Sequence, residues 1–220
     1  MSARVWQATI AAFLPALTAV GLARAAAPDT DPLSSYVTAI SAELDPRVAQ
    51  TLVQLVGTDR QLLALRSYLR SAPHLAERWS WTQEQIEAFE GSPEQRDLQQ
   101  EIDRVRTAFV AANPGFEVYV NSQVRSLNVQ VEHWNSNESV KAAAREILAA
   151  VQALILSPDF PANRPEQARE ALKAFLSGHR PVPTPTIAAP GLSMHGQMRA
   201  IDFQVHQGAR VVAGPSTATI

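Results

Sequence analysis

The chain has 220 residues, 46% of them hydrophobic and 18% charged, with 19 basic against 21 acidic side chains. That is enough apolar chain for one or two ordinary domains, and a net charge of −2 gives no sign of a nucleic-acid or anionic-membrane partner. With no cysteine in the sequence, disulfides, thiol nucleophiles and thiolate metal sites are excluded, so a metal centre must draw on His, Asp or Glu.

Residues 1–27 read as a secretory signal. Arg4 supplies the positive start, residues 5–23 are apolar and uncharged, and Ala23, Ala25 and Ala27 offer small side chains where a signal peptidase cuts. The other reading is a single membrane anchor, since the stretch is just long enough to span a bilayer. Pro15 and the small-residue exit favour cleavage. The expectation is an exported, periplasmic protein with no stable membrane anchor once the signal is removed. A cysteine-free chain suits an oxidising compartment.

Residues 28–112 carry helical patterning. Leu44, Val48, Leu52 and Leu55 recur at spacings of three and four. Asp45 before Pro46 predicts a capped helix start. Thr58 or Asp59 predicts the next cap, followed by a stripe through Leu62, Leu65 and Leu69 that Pro73 ends. Thr82 with Gln85, and Ser92 with Gln95, are capping-box patterns. The second opens a helix through Leu98, Ile102, Val105 and Phe109 that stops at Asn113-Pro114-Gly115. This region shows no catalytic constellation. Trp79 and Trp81 read as packing anchors rather than a sugar platform, and His74 as a turn residue.

After Gly115 the character changes. The alternating, β-branched segment 116–120 predicts a strand. A helix start or ordered loop is expected over 125–134, and strong helical periodicity covers 139–156. A shorter helix is expected over 165–176, and a proline-rich connection over 180–190. Residues 200–205 predict a strand with Ile201, Phe203 and Val205 on one face and Asp202 and Gln204 on the other. Gln207-Gly208 can turn it back into a hairpin over 209–213.

Two segments carry candidate chemistry. The first is SMHGQMRAID at 193–202. His195 in a loop and Asp202 on the following strand can both reach one cation, at about 2.0–2.2 Å for zinc. An acid in an otherwise apolar strand needs a partner, which zinc would supply; taken alone, the two residues equally read as a solvent-facing Asp and a nearby surface His. The second is Ser122-Gln123-Val124-Arg125-Ser126, after the first strand, with Gln130 beyond it. Together they resemble the S-x-H-x-x-G-x-A-x-D signature and the upstream S-x-x-R-S and glutamine of the VanY-type zinc D-alanyl-D-alanine carboxypeptidases and dipeptidases. Ser193, His195, Ala200 and Asp202 fall on signature positions, whereas Met198 stands where the family has glycine.

The resemblance covers about residues 115–213 and leaves the helical residues before it outside. It implies a Hedgehog-like core, zinc held by His195 and Asp202, and peptidoglycan stem peptides as substrate. It also implies Arg125 as the group that grips and polarises the substrate, with Ser193 and Gln130 as substrate-binding residues. A planar guanidinium suits that task, because it donates paired hydrogen bonds to a carboxylate or a developing oxyanion.

The family also needs a glutamate base and a further histidine in an E-x-x-H motif. None follows Asp202. His206 lies four residues on, about 13 Å away along an extended strand, too far to share an ion without a sharp bend. His133 and His179 read as surface residues. Three readings stay open: a truncated copy, an inactive descendant with a weak two-ligand site, or completion by distant residues. Truncation is the favoured one, with little or no turnover expected.

The expected architecture is therefore α+β: a helical module over 28–112, then an incomplete Hedgehog-like peptidase domain with a small antiparallel sheet over 113–220. The competing class is a non-catalytic cell-envelope binding or scaffold protein.

Overall fold

Proline and glycine punctuate the first half of the chain. In the computed structural model, which describes residues 32–214, they bound a series of short helices: α1 (Pro32–Ser41), α2 (Pro46–Leu52) and α3 (Thr58–Ser71). The Asp45 side chain caps α2 by accepting the Arg47 N–H at 3.0 Å. Pro46 occupies the first turn, where a missing N–H leaves nothing unsatisfied. At the start of α3 the cap position falls on Gly57 rather than on Thr58 or Asp59. Its φ of +85° is backbone that glycine adopts without strain.

Beyond α3, a 3₁₀ turn (Ala72–His74) containing Pro73 leads into the single turn α4 (Leu75–Arg78). The Thr82–Gln85 capping box opens α5 (Gln83–Phe89) with both reciprocal bonds made. Ser92 caps α6 (Pro93–Ala112), but the Gln95 side chain reaches Gly91 N–H instead of closing the box. The second half contributes β1 (Glu117–Asn121), α7 (Leu127–Ser136), α8 (Glu138–Ile155), α9 (Pro165–Gly178), a 3₁₀ turn (Met194–Gln197), β2 (Asp202–Gln207) and β3 (Arg210–Ala213).

The architecture is α+β, a helical core beside a three-stranded antiparallel sheet of order β1-β2-β3. Within the helical part α3 is central. Leu62, Leu63, Ala64 and Leu65 are all fully buried, so α3 is apolar around its whole circumference there, not along one stripe. A helix can be so only when neighbours cover every side, and α8, α9, α1 and α2 all pack on it. Trp134 of α7, Ile147 and Val151 of α8, and Leu172 and Leu176 of α9 complete the same core. The expected boundary between 112 and 113 is therefore no break in the packing. One hydrophobic cluster draws on residues before and after it, and the described residues form one compact unit.

The sheet follows the expected strands and hairpin, with Gly208 supplying positive φ in the turn between Gln207 and Arg210. Burial does not follow the expected faces. Phe203 is 52% exposed, while Gln204 is 7% exposed. Helix α6 packs on β1, donating from Arg106 Nε to the Val118 carbonyl at 3.1 Å, and leaves Phe203 uncovered, while the chain at Gly214 closes on Gln204, where a Cβ would stand 3.1 Å from Gln204 Cγ. Of the stripe expected on α6, Ile102 is buried and Val105 is exposed. Residues 1–27, read above as a signal, lie outside the described residues. No helix among the described residues is long and apolar enough to cross a membrane.

A charged clamp ties the turn after α1 to α9. Glu43 meets Arg169 Nε and Lys173 Nζ, each at 2.7 Å. The Lys173 hydrogen bond holds the Glu43 carboxyl below its usual value of 4.5, and the Arg47 hydrogen bond likewise lowers Asp45. Groups with depressed folded pKa values stabilise the protein above the unfolded value and cease to do so as pH falls through the folded one. Thermal stability is thus expected to decline as pH drops below 4.5. Lys173→Met should flatten part of that decline in melts across an acid series.

Candidate active site

Three side chains expected to act together do meet. Asn121 ends β1, and the chain leaves it towards Arg125, one residue before the cap of α7. Asp202 opens β2 directly opposite Asn121. This register brings Arg125 Nη2 to Asp202 Oδ2 at 2.8 Å, across 77 residues of sequence. His195, in the 3₁₀ turn, points Nε2 at the other carboxylate oxygen, Oδ1, at 3.7 Å. The Arg125 N–H donates to the His195 carbonyl at 3.1 Å, so the two segments are also joined through backbone. All three side chains are half-buried. Partial exposure means the ion pair adds at most about 1 kcal/mol to stability, and its interest lies in geometry.

Donor type and spacing suit a shared cation. Two ligands of one zinc at about 2.0–2.2 Å stand about 3.3–3.6 Å apart in a near-tetrahedral arrangement. The 3.7 Å between His195 Nε2 and Asp202 Oδ1 exceeds a hydrogen bond and lies just beyond that range, so a small side-chain adjustment would bring both onto one ion. The count is short: among the described residues no group of three or more His, Cys, Asp or Glu could hold a metal. His206 does not join them. It pairs across the sheet with Glu117, its Nε2 lies 3.0 Å from Gln204 Oε1, and its ring meets Tyr119. His133 is exposed, as is His74 beside Glu77. His179 departs from the surface reading. Its Nε2 lies 3.0 Å from both Glu146 oxygens and its ring stacks on Phe175.

The two residues expected to bind substrate, Gln130 and Ser193, are buried instead. The Gln130 amide is fully engaged as a donor: Nε2 donates to Ser80 Oγ at 2.8 Å and to the Arg125 carbonyl at 2.7 Å. Its Oε1 accepts the Gly191 N–H at 2.9 Å. Both side-chain N–H groups are thus taken by the protein itself. Ser193 is 9% exposed, and its carbonyl accepts the Gly196 N–H at 3.0 Å.

The loop carrying His195 rests on residues that sequence reasoning did not connect with the site. Ser80 N–H and Trp81 N–H donate to the carbonyls of Gly191 and Gly196, both at 2.8 Å. Gln197 Nε2 donates to the carbonyls of Glu77 and Trp79. The buried Tyr68 hydroxyl, whose pKa burial pushes up, donates to the Pro190 carbonyl at 2.8 Å. Trp79 is a packing anchor as expected, 4% exposed and set between Tyr68 and Arg47. The local signal for these supports is the pair Gly191 and Gly196, close to the motif histidine.

Met198 occupies a special backbone position. It closes the 3₁₀ turn in the left-handed region, at φ 52° and ψ 28°. The turn therefore keeps the conformation that glycine adopts freely, and Met198 bears the strain of a side chain there. Gly196, two residues earlier, has no positive φ. Met198→Gly is accordingly expected to stabilise the fold by about 1 kcal/mol despite the entropy glycine adds to the unfolded chain. A higher thermal midpoint would show it.

No protein-family model matches the chain, and neither a curated protein nor a solved structure matches it.

Proposed function

We propose that this chain carries an incomplete site of a zinc-dependent peptidoglycan peptidase of the D-alanyl-D-alanine carboxypeptidase type, on a Hedgehog-like core. The supporting observation is the meeting of Arg125, His195 and Asp202 from two motifs that stand in the family's order. His195 and Asp202 would hold zinc, which when bound polarises a scissile carbonyl and acidifies a water. Arg125 engages Asp202 through Nη2, and its other guanidinium N–H groups suit the terminal carboxylate of a stem peptide. The protein would act after export, in the periplasm. A catalytic zinc has three protein ligands, and the described residues supply two donors, so little or no turnover is expected.

Zinc titration by calorimetry tests this. One weak site per chain is expected, with His195→Ala lowering its affinity at least about tenfold. Zinc uptake that is absent, or indifferent to His195→Ala, would sink the proposal. The short donor count also favours a second reading, a non-catalytic envelope-binding protein. Absent zinc uptake, together with retained binding to purified peptidoglycan, would support it.

A further inference from the structure

The Gln130 amide sits where three separate stretches of chain meet. Its partners are the Arg125 carbonyl, Ser80 Oγ in the helical first half, and the Gly191 N–H at the root of the His195 loop. These lie 5, 50 and 61 residues away along the chain. A primary amide is the one common side-chain group that offers two donors and an acceptor in a single plane. All of its donors are used here, at 4% exposure. Burial makes such a junction stiff, because a partner left unmatched would lose its hydration with nothing to replace it.

The junction also presses on the His195 loop directly. A Cβ at Gly196 would lie 2.7 Å from Gln130 Nε2 and 2.6 Å from Ser80 Cβ, so the glycine backbone is seated against the pair. Arg125 and His195 are thus both referred to one fixed point.

We infer that Gln130 and Ser80 together are positioning residues, setting the separation of Arg125 from His195 and hence the way Asp202 is shared between them. This inference rests on the reading of Arg125, His195 and Asp202 as one site, and it gives the helical first half a role in forming that site.

The test follows the side-chain N–H resonance of Arg125, assigned by its loss in Arg125→Lys, together with the thermal midpoint. In the parent chain the pairing with Asp202 should slow hydrogen exchange of this group. Gln130→Leu is expected to speed exchange at least tenfold while the protein still unfolds cooperatively, and Ser80→Ala should give a smaller acceleration. Gln130→Glu keeps the shape but presents a carboxylate oxygen to the Arg125 carbonyl, and should speed exchange as Gln130→Leu does. Val131→Ala, a buried neighbour on α7, is the packing control. It should lower the midpoint without changing Arg125 exchange.

Should Gln130→Leu fail to fold, Ser80→Ala and Gln130→Glu carry the test. Unchanged Arg125 exchange in the folded variants, or equal acceleration in Val131→Ala, overturns the inference. Zinc titration of the same samples separates the two ideas. Missing zinc binding with altered Arg125 exchange defeats the metal reading and leaves the positioning role standing.

Discussion

Gly196→Ala is expected to dislodge the loop that carries His195 and to destabilise the protein by about 3 kcal/mol. The new Cβ would stand 2.6 Å from Ser80 Cβ and 2.7 Å from Gln130 Nε2, and closer still to Ser80 Oγ. None of these neighbours is the loose end of a long side chain. Ser80 is fixed by its own N–H bond to Gly191, and Gln130 by three bonds. Relief has to come from the loop, which would lift away from the 79–81 segment and carry His195 from Asp202. For a unit of this size the midpoint should fall by roughly 6–12 °C, and zinc affinity should fall with it. Gly178→Ala is the control. Nothing lies within 4 Å of a Cβ there and the backbone has no positive φ, so this change should be neutral or slightly stabilising. Equal melts for the two variants would contradict the account.

Trp79→Ala should cost about 3–5 kcal/mol, in the range for deleting a large buried ring. Its indole is 4% exposed, lies 5.7 Å from the Tyr68 ring and carries the Arg47 guanidinium over its face at 5.1 Å. It also fills the space beside Gly191, where even a methyl group would come within 2.8 Å of the ring. Loss of the ring therefore removes support from the core and from the root of the His195 loop together. Trp81, two residues on, is less buried and meets Phe89 at 5.2 Å. Trp81→Ala should cost clearly less. Urea denaturation of both variants measures the difference, and similar costs would remove Trp79 from its assigned place.

Short-range physics made much of this structure legible in advance. Asp45, Thr82 and Ser92 mark helix starts because a cap bonds within three residues of itself. The hairpin at Gly208 and the β1 and β2 strands follow from alternation and turn chemistry of the same range. That Arg125, His195 and Asp202 come together follows from the pairing of β1 with β2, which those same short-range patterns foreshadow.

What escaped depends on contacts between distant stretches. Nothing near Gln130 says that its amide will be consumed by Ser80 and Gly191. Nothing near Phe203 says that α6 will lie on the neighbouring strand. The all-round burial of α3 is likewise set by four other helices. Hydropathy describes what a residue tolerates, and the tertiary arrangement decides which side is covered.

Asp202 is a single carboxylate with two claimants, a guanidinium on one oxygen and an imidazole edge beside the other. Its charge is compensated before any ion arrives, so losing a cation need not strand a bare negative group. Entry of a cation would draw on the same carboxylate and loosen its hold on Arg125, turning that side chain towards an anion. Linkage then requires reciprocity: whatever anion Arg125 captures must tighten the cation by the same factor.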